Sequence, residues 1–291
     1  MDTFTYFAPQ NITGACAALA SGNARPLAGG TDLLPQMREG RRTAAHVVDL
    51  KRIPECSTIN LDPDGTLKIG SAVSATAIAN HPDISARFPV LRLAARLIGS
   101  LQVQNRATFG GNICNAAPSA DAAPPLIALD ARAIISGPGG QRTILVEDMF
   151  QGPGRNSLAT GEILTHIIVP AMTDTCAAHY LRFTPRREMD IAIAGVATRV
   201  TYDAQGKVTF ARIAMASVAP TPIRAIDAEA MLIGQTLTDG LIGEVAEAAR
   251  AAAQPISDTR GSADFRRELT AVLTRRTLQH CRNLLMAEVA K

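Results

Sequence analysis

A chain of 291 residues, 47% hydrophobic and 19% charged, is long enough for two cores and too apolar to stay disordered. Aromatic residues make up only 4%, with no Trp, which excludes a binding surface built on base stacking. The net charge of +3 is spread among interspersed acids, so the pairs Arg41-Arg42, Arg186-Arg187, Arg266-Arg267 and Arg275-Arg276 read as solvated faces or subunit contacts.

The first half alternates short strand-like and helix-like pieces. Asn11 to Ala20 reads as an Ala-rich helix, Arg25 to Ala28 as a strand, Thr31 to Glu39 as a helix entered from Gly29-Gly30, and His46 to Leu50 as a strand. Ser57 to Leu61 and Thr66 to Gly70 form a hairpin about Asp62-Pro63-Asp64-Gly65. Helices are predicted at Ser74 to Asn80 and Pro89 to Leu97. Between Gly99 and Pro125 the chain is too rich in Gly, Asn, Ser, Ala and Pro for a long element, and this is where a site would be built. A helix end at Leu126 to Asp130 leads to strands at Arg132 to Ser136, Thr143 to Val146 and Glu162 to Val169. The pattern then changes to long antiparallel strands at His179 to Thr184, Ile191 to Tyr202 and Lys207 to Ala216. Helices at Ala225 to Gly234, Gly240 to Ala253 and Ala263 to Ala287 follow. The fold class is therefore α+β, with one domain over 1–172, in parts of about 1–55 and 56–172, and a second over 173–291.

The five cysteines, at 16, 56, 114, 176 and 281, show no metal-ligand spacing, so reduced and mostly buried thiols are expected. The five histidines are scattered and contain no HExxH, which assigns them structural or surface places. The opening MDTFTYFAPQ lacks a basic leader, and no apolar run reaches the roughly 20 residues of a membrane span. A soluble, cytoplasmic protein is expected.

Two stretches carry the chemistry: Pro26 to Leu34, with Gly29-Gly30, and Thr108 to Asn112, with Gly110-Gly111. Paired glycines let a backbone turn through positive φ and bring its N–H groups against an anion such as a pyrophosphate. A helix starting at Thr31 or Asp32 would add its N-terminus, although the Asp32 carboxylate would repel a phosphate unless it caps that helix. Either pair alone is weak evidence and reads first as a structural turn. Together, and followed by the small-residue run Asn115 to Asp121, they favour a nucleotide cleft. No GxGxxG, GxxxxGK[ST] or GxSxG occurs.

Four stretches, Ala28 to Leu34, Thr108 to Ile113, Ala117 to Leu126 and Arg186 to Ala192, give the whole chain a resemblance to a known family. It resembles the medium, FAD-binding subunit of the xanthine dehydrogenase and carbon monoxide dehydrogenase (molybdenum hydroxylase) family. That resemblance implies a two-part FAD-binding domain of the vanillyl-alcohol-oxidase and p-cresol-methylhydroxylase type. A C-terminal antiparallel sheet with helices, of the carbon monoxide dehydrogenase flavoprotein type, is implied to follow.

In such a subunit the loop Leu27, Ala28, Gly29, Gly30, Thr31, Asp32 and Leu33 holds the FAD pyrophosphate together with Thr108, Gly110, Gly111 and Asn112, with Asn115 following. The resemblance further implies that Asp121 bonds a polar part of the cofactor and that Ile163 and Leu164 pack near the adenine. Gly99 and Asp190 are implied to border the flavin. Asp121 also reads as the N-cap of a helix over Ala122 to Leu129.

No catalytic residue or metal ligand is assigned. FAD is expected to bind without covalent attachment. The implied partners are a large molybdopterin-binding subunit and a small [2Fe-2S] subunit, in a dimer of heterotrimers, with NAD, oxygen or a quinone as final electron acceptor. Some relatives carry a further iron–sulfur cluster on a Cys-rich insertion, which this sequence lacks. The competing readings are a self-sufficient FAD-dependent oxidase or dehydrogenase and a non-catalytic nucleotide-binding scaffold. One fold hosts many functions and cannot separate them by itself.

Overall fold

The computed structural model describes residues 2–289. Strand β1 (Thr5–Phe7), helix α1 (Ile12–Ala20), strand β2 (Ala24–Leu27), helix α2 (Leu33–Arg38) and strand β3 (His46–Asp49) make a small α/β layer. Its strands run parallel in the order β1-β3-β2. Asn11 starts α1 by accepting the Gly14 N–H at 2.8 Å, and Ala15, Cys16 and Leu19 then bury one face against Val48 and Leu50. Helix α2 begins two residues later than the sequence predicts, because Thr31 and Asp32 are spent on a turn leaving Gly30 at φ +77°. Asp32 makes no capping bond.

Helix α3 (Pro54–Ser57), with Pro54 at its first position, takes Ser57 out of the expected strand. The hairpin of β4 (Ile59–Leu61) and β5 (Leu67–Gly70) turns where Gly65 adopts φ +84°. Six short helices follow: α4 (Ala75–Asn80), α5 (Pro82–Arg87), α6 (Pro89–Leu97), α7 (Leu101–Gln104), α8 (Phe109–Asn115) and α9 (Ala123–Ala128). Proline begins α5 and α6, while the Ser74 and Thr108 hydroxyls cap α4 and α8. The stretch expected to lack long elements thus holds helices of at most seven residues.

Strands β6 (Arg132–Gly137), β7 (Gly140–Leu145), β8 (Phe150–Gly152), β9 (Arg155–Asn156) and β10 (Ile163–Val169) come next. The second sheet is ordered β4-β5-β10-β6-β7. Its central strand β10 pairs antiparallel with both β5 and β6.

Strands β11 (Cys176–Phe183), β12 (Ala194–Tyr202), β13 (Val208–Ala216) and β14 (Ile223–Arg224) form a third, antiparallel sheet. Helices α10 (Ile226–Leu232), α11 (Asp239–Ala252) and α12 (Ala263–Val289) complete the chain. Small residues on one face, Ala178, Ala197 and Ala214, join Tyr180 in the core that also holds Phe109, Leu126 and Ile167. The opposite face, with Val196, Val200 and Ile213, packs on Val245 of α11 and Leu273 and Leu278 of α12. The third sheet is therefore covered on both sides, and one core runs from it into the first half of the chain.

Arg266 corrects the reading of its pair as a solvated face. It is buried, and its guanidinium donates to the carbonyls of Ile193 (2.7 Å) and Ser217 (3.0 Å) and to Asp258 (2.8 Å). A buried cation is tolerable when acceptors of this kind replace water. All five cysteines are free, and Cys16, Cys56 and Cys281 are buried while Cys114 and Cys176 are half-buried.

Candidate functional site

A cleft of about 750 Å³ opens between the two sheets of the first half and the loop that joins β11 to β12. It is lined by all of Leu27 to Leu33, and by Gly99, Thr108, Gly110, Gly111, Asn112, Asn115, Asp121, Ile163, Leu164 and Asp190. Every candidate residue read from the sequence therefore meets the same cavity, whose size suits a large cofactor.

Its walls are set by close backbone contacts. A Cβ on Gly29 would lie 1.9 Å from the Arg106 carbonyl oxygen, so the loop after β2 rests directly on the backbone leading into α8. A Cβ on Gly110 would lie 2.5 Å from the Ser71 carbonyl oxygen, where α8 rests on the end of β5. Among the described residues, none of the amides from Gly29 to Leu33 donates to an acceptor of the chain. These amides make a loop cradle of the kind that holds anions. Helix α2 adds little, since a helix of only six residues, starting at the last amide of the cradle, has a weak dipole.

The second glycine pair departs from expectation. Gly110 and Gly111 lie inside α8 with no positive φ, so neither turns the chain. Gly111 instead donates its N–H to the Thr108 hydroxyl at 2.9 Å, and a Cβ there would meet only that oxygen, at 3.0 Å. The glycine is there for space. Gly111→Val should consequently fold and lose the ligand by filling the cleft, whereas Gly110→Ala should lower the melting temperature by pressing on Ser71. A Gly111→Val protein with full flavin content would remove this helix from the site.

Polar side chains tie the walls together. Asn112 accepts the Ala122 N–H at 3.0 Å and so fixes the start of α9, and Asn115 accepts from Gln36 of α2 at 3.3 Å. Burial raises the Asp32 carboxyl, with Arg42 and Arg41 pulling the other way. Asp121 is not a helix cap, since α9 starts at Ala123. Its carboxylate accepts from the Tyr180 hydroxyl at 2.9 Å and from the Arg182 guanidinium, both on β11. Burial nonetheless pushes the Asp121 carboxyl up to about 6, against the pull of Arg182 and Tyr180.

At the mouth, the Met189 N–H donates to the Gly99 carbonyl at 3.2 Å, which joins the two stretches expected to border the flavin. Asp190 holds this loop, accepting the N–H groups of Arg186 (3.0 Å) and Ile191 (2.9 Å).

The FAD binding domain in molybdopterin dehydrogenase, as a family model, matches residues 2–172, and the CO dehydrogenase flavoprotein C-terminal domain matches residues 179–281. The chain belongs to the FAD-binding medium-subunit family of molybdenum hydroxylases. It is 34% identical to the carbon monoxide dehydrogenase medium chain of Hydrogenophaga pseudoflava, over 94% of this chain and 96% of that one. It is 33% identical to the xanthine dehydrogenase FAD-binding subunit of Escherichia coli O157:H7, over 95% of each. The solved carbon monoxide dehydrogenase from Hydrogenophaga pseudoflava superposes with a TM-score of 0.93 at 34% identity, covering 97% of this chain and 98% of that one. As a member of this family the chain is the flavin subunit of an oxidoreductase. No helix among the described residues is long and apolar enough to cross a membrane.

Several walls of the flavin subunit's cleft escaped the sequence reading. The loop Asn156 to Glu162 lines it, held by Arg142, which donates to both Glu162 carboxylate oxygens at 2.8 and 2.7 Å. Arg42 and Ser71 line it too. Arg42 corrects the reading of its pair with Arg41 as a solvated face or subunit contact, and the other residues carry no local pattern and reach the cavity only through tertiary packing.

Proposed function

We propose that the chain holds FAD without covalent attachment and relays electrons from partner iron–sulfur clusters to an external acceptor. The observation that carries this reading is the backbone contact of Gly29 with Arg106, which leaves a cradle of free amides that any side chain would close. In this reading the loops Leu27 to Leu33 and Thr108 to Asn112, with Asn115, hold the pyrophosphate, and Ile163 and Leu164 pack the adenine end. Gly99 and Asp190 border the flavin. Asp121 accepts from a cofactor hydroxyl, since a carboxylate has about four lone-pair sites and the two protein bonds leave room. Bound FAD supplies electron exchange, singly and in pairs, that no side chain here provides.

The division into 1–172 and 173–291 is proposed to separate cofactor holding from the sheet that closes the mouth. The proposed partners are a large molybdopterin-binding subunit, which would oxidise the organic substrate, and a small [2Fe-2S] subunit, in a dimer of heterotrimers. NAD, oxygen or a quinone would drain the electrons, and the cytoplasm is the proposed compartment.

Co-purification from the native source tests the relay. A large and a small subunit should accompany the chain, substrate oxidation should need all three, and denaturation should release the yellow chromophore into the supernatant. A homogeneous single chain that turns over an organic substrate would replace the relay with a self-sufficient flavoenzyme. Flavin left on the precipitated polypeptide would overturn non-covalent binding.

A further inference from the structure

Just outside the cleft, Tyr6 of β1, Asp49 at the end of β3 and Lys51 in the turn that follows form a chain of hydrogen bonds that ends on the cradle. The Lys51 ammonium donates to the Ala28 carbonyl at 2.9 Å and to Asp49 Oδ1 at 2.6 Å. Asp49 Oδ1 also accepts the Lys51 N–H at 2.9 Å, and its other oxygen accepts the Tyr6 hydroxyl at 2.5 Å. The Asp49 side chain is only 7% exposed, so the salt bridge sits where solvent screens it little. Burial works against the Asp49 carboxylate, but the Lys51 and Tyr6 hydrogen bonds outweigh it and its pKa is lowered.

The consequence for the cradle follows from peptide geometry. Strand β2 ends at Leu27, whose carbonyl accepts the Leu50 N–H at 3.0 Å. The next carbonyl, that of Ala28, receives no backbone donor among the described residues and is taken by Lys51 instead. No peptide bond of the described residues is cis, and in a trans peptide the C=O and the following N–H point in opposite directions. A lysine that draws the Ala28 carbonyl to itself therefore turns the Gly29 N–H away from Lys51, and both Ala28 and Gly29 line the cleft. Lys51 itself does not line it.

We propose that Lys51, braced by Asp49 and Tyr6, is a positioning residue that fixes the Ala28–Gly29 peptide with its N–H toward the cleft and so sets the affinity for a pyrophosphate. The proposal rests on the cleft being the FAD site. Lys51 acts through one peptide, without touching the ligand, and its effect is confined to ligands that carry the diphosphate. A lysine that merely stitched β2 to β3 would change every ligand alike.

Calorimetric titration of the full-length chain, stripped of flavin, with ADP and separately with adenosine distinguishes the two. Losing a charge-assisted hydrogen bond of this kind should weaken ADP binding about tenfold to a hundredfold in Lys51→Met. Adenosine binding should stay close to the parent value while the melting temperature falls, because Asp49 loses its counter-charge, and Lys51→Arg, which keeps a cationic donor, should restore most of the ADP affinity. Equal losses for ADP and adenosine, or unchanged ADP affinity in Lys51→Met, would overturn the role of Lys51. A parent chain that binds neither ADP nor FAD would overturn the cleft assignment, and the role of Lys51 with it. Should Lys51→Met fail to fold, Lys51→Gln, which keeps a neutral donor, should show a smaller loss confined to ADP.

Discussion

Gly29→Ala should purify without flavin and melt well below the parent protein. Its Cβ would lie 1.9 Å from the Arg106 carbonyl oxygen and 2.6 Å from the carbonyl carbon, the tightest approach at any glycine of the chain. Neither backbone can retreat cheaply. The Ala28 carbonyl is bound by Lys51, and residues 106 and 107 are held by bonds from the Arg106 and Ala107 N–H groups to Val103 and from Ala75 to the Ala107 carbonyl. Overpacking a fixed site costs about 1–3 kcal/mol when side chains can yield, and here the colliding atoms are main chain, so that range is a lower bound. Any relief must separate the loop from the backbone before α8, which spreads the cradle. Gly243→Ala is the matching control. That glycine lies in α11 with nothing within 4 Å of its Cβ, so alanine there should stabilise by about 0.5–1 kcal/mol and leave flavin untouched. The flavin-to-protein absorbance ratio and thermal melts of both variants decide the matter. Parent-like values for Gly29→Ala would refute the backbone contact.

The same contact shows what the sequence can and cannot convey. Glycine pairs beside an apolar strand and a run of small residues are local signals, and they single out Gly29 and Gly30, whereas the role of Asp121 is implied only by the family resemblance. Their reasons differ in part. Gly30 turns through positive φ as expected, Gly29 is needed for the neighbouring backbone, and Gly110 and Gly111 serve packing and space inside a helix. Residues that act across the fold left no trace in spacing. Lys51 meets a carbonyl 23 positions away, Arg142 holds a loop 20 positions on, and Arg182 reaches Asp121 across 61. The three-residue strand β1 is too short to show a period, yet it brings Tyr6 to Asp49. Arg266 reads like any surface arginine because two of its three acceptors are carbonyls, which every residue has.

Asp121 and Arg182 should respond unequally to the removal of a partner. Their side chains are 11% and 4% exposed, so each charge depends on the other. Asp121→Ala leaves the Arg182 guanidinium buried without a counter-charge, and a guanidinium cannot shed its proton at any ordinary pH. Breaking a buried pair from this side costs about 3–5 kcal/mol, and because the pair joins the cleft wall to β11, flavin should be lost with it. Arg182→Met leaves a carboxyl, which has an escape. Burial already pushes Asp121 up to about 6, and without the guanidinium its pKa moves further up. Below that raised value the carboxyl takes a proton and stays buried as a neutral acid.

The sign follows from linkage: with the folded pKa above the unfolded one, the native state holds the extra proton between the two values. Stability is then fully present below the unfolded pKa and is lost as pH rises through the folded one. Arg182→Met should therefore be nearly tolerated in mild acid and become steadily less stable toward neutral pH, while the stability of Asp121→Ala, which has no carboxyl there, draws no pH dependence from this position. The double variant Asp121→Ala/Arg182→Met should be more stable than Asp121→Ala alone, since the stranded charge is gone. Denaturant melts of the three variants across pH 5 to 8 provide the comparison, and a pH-independent cost for Arg182→Met equal to that of Asp121→Ala would show that the pair contributes packing without electrostatics.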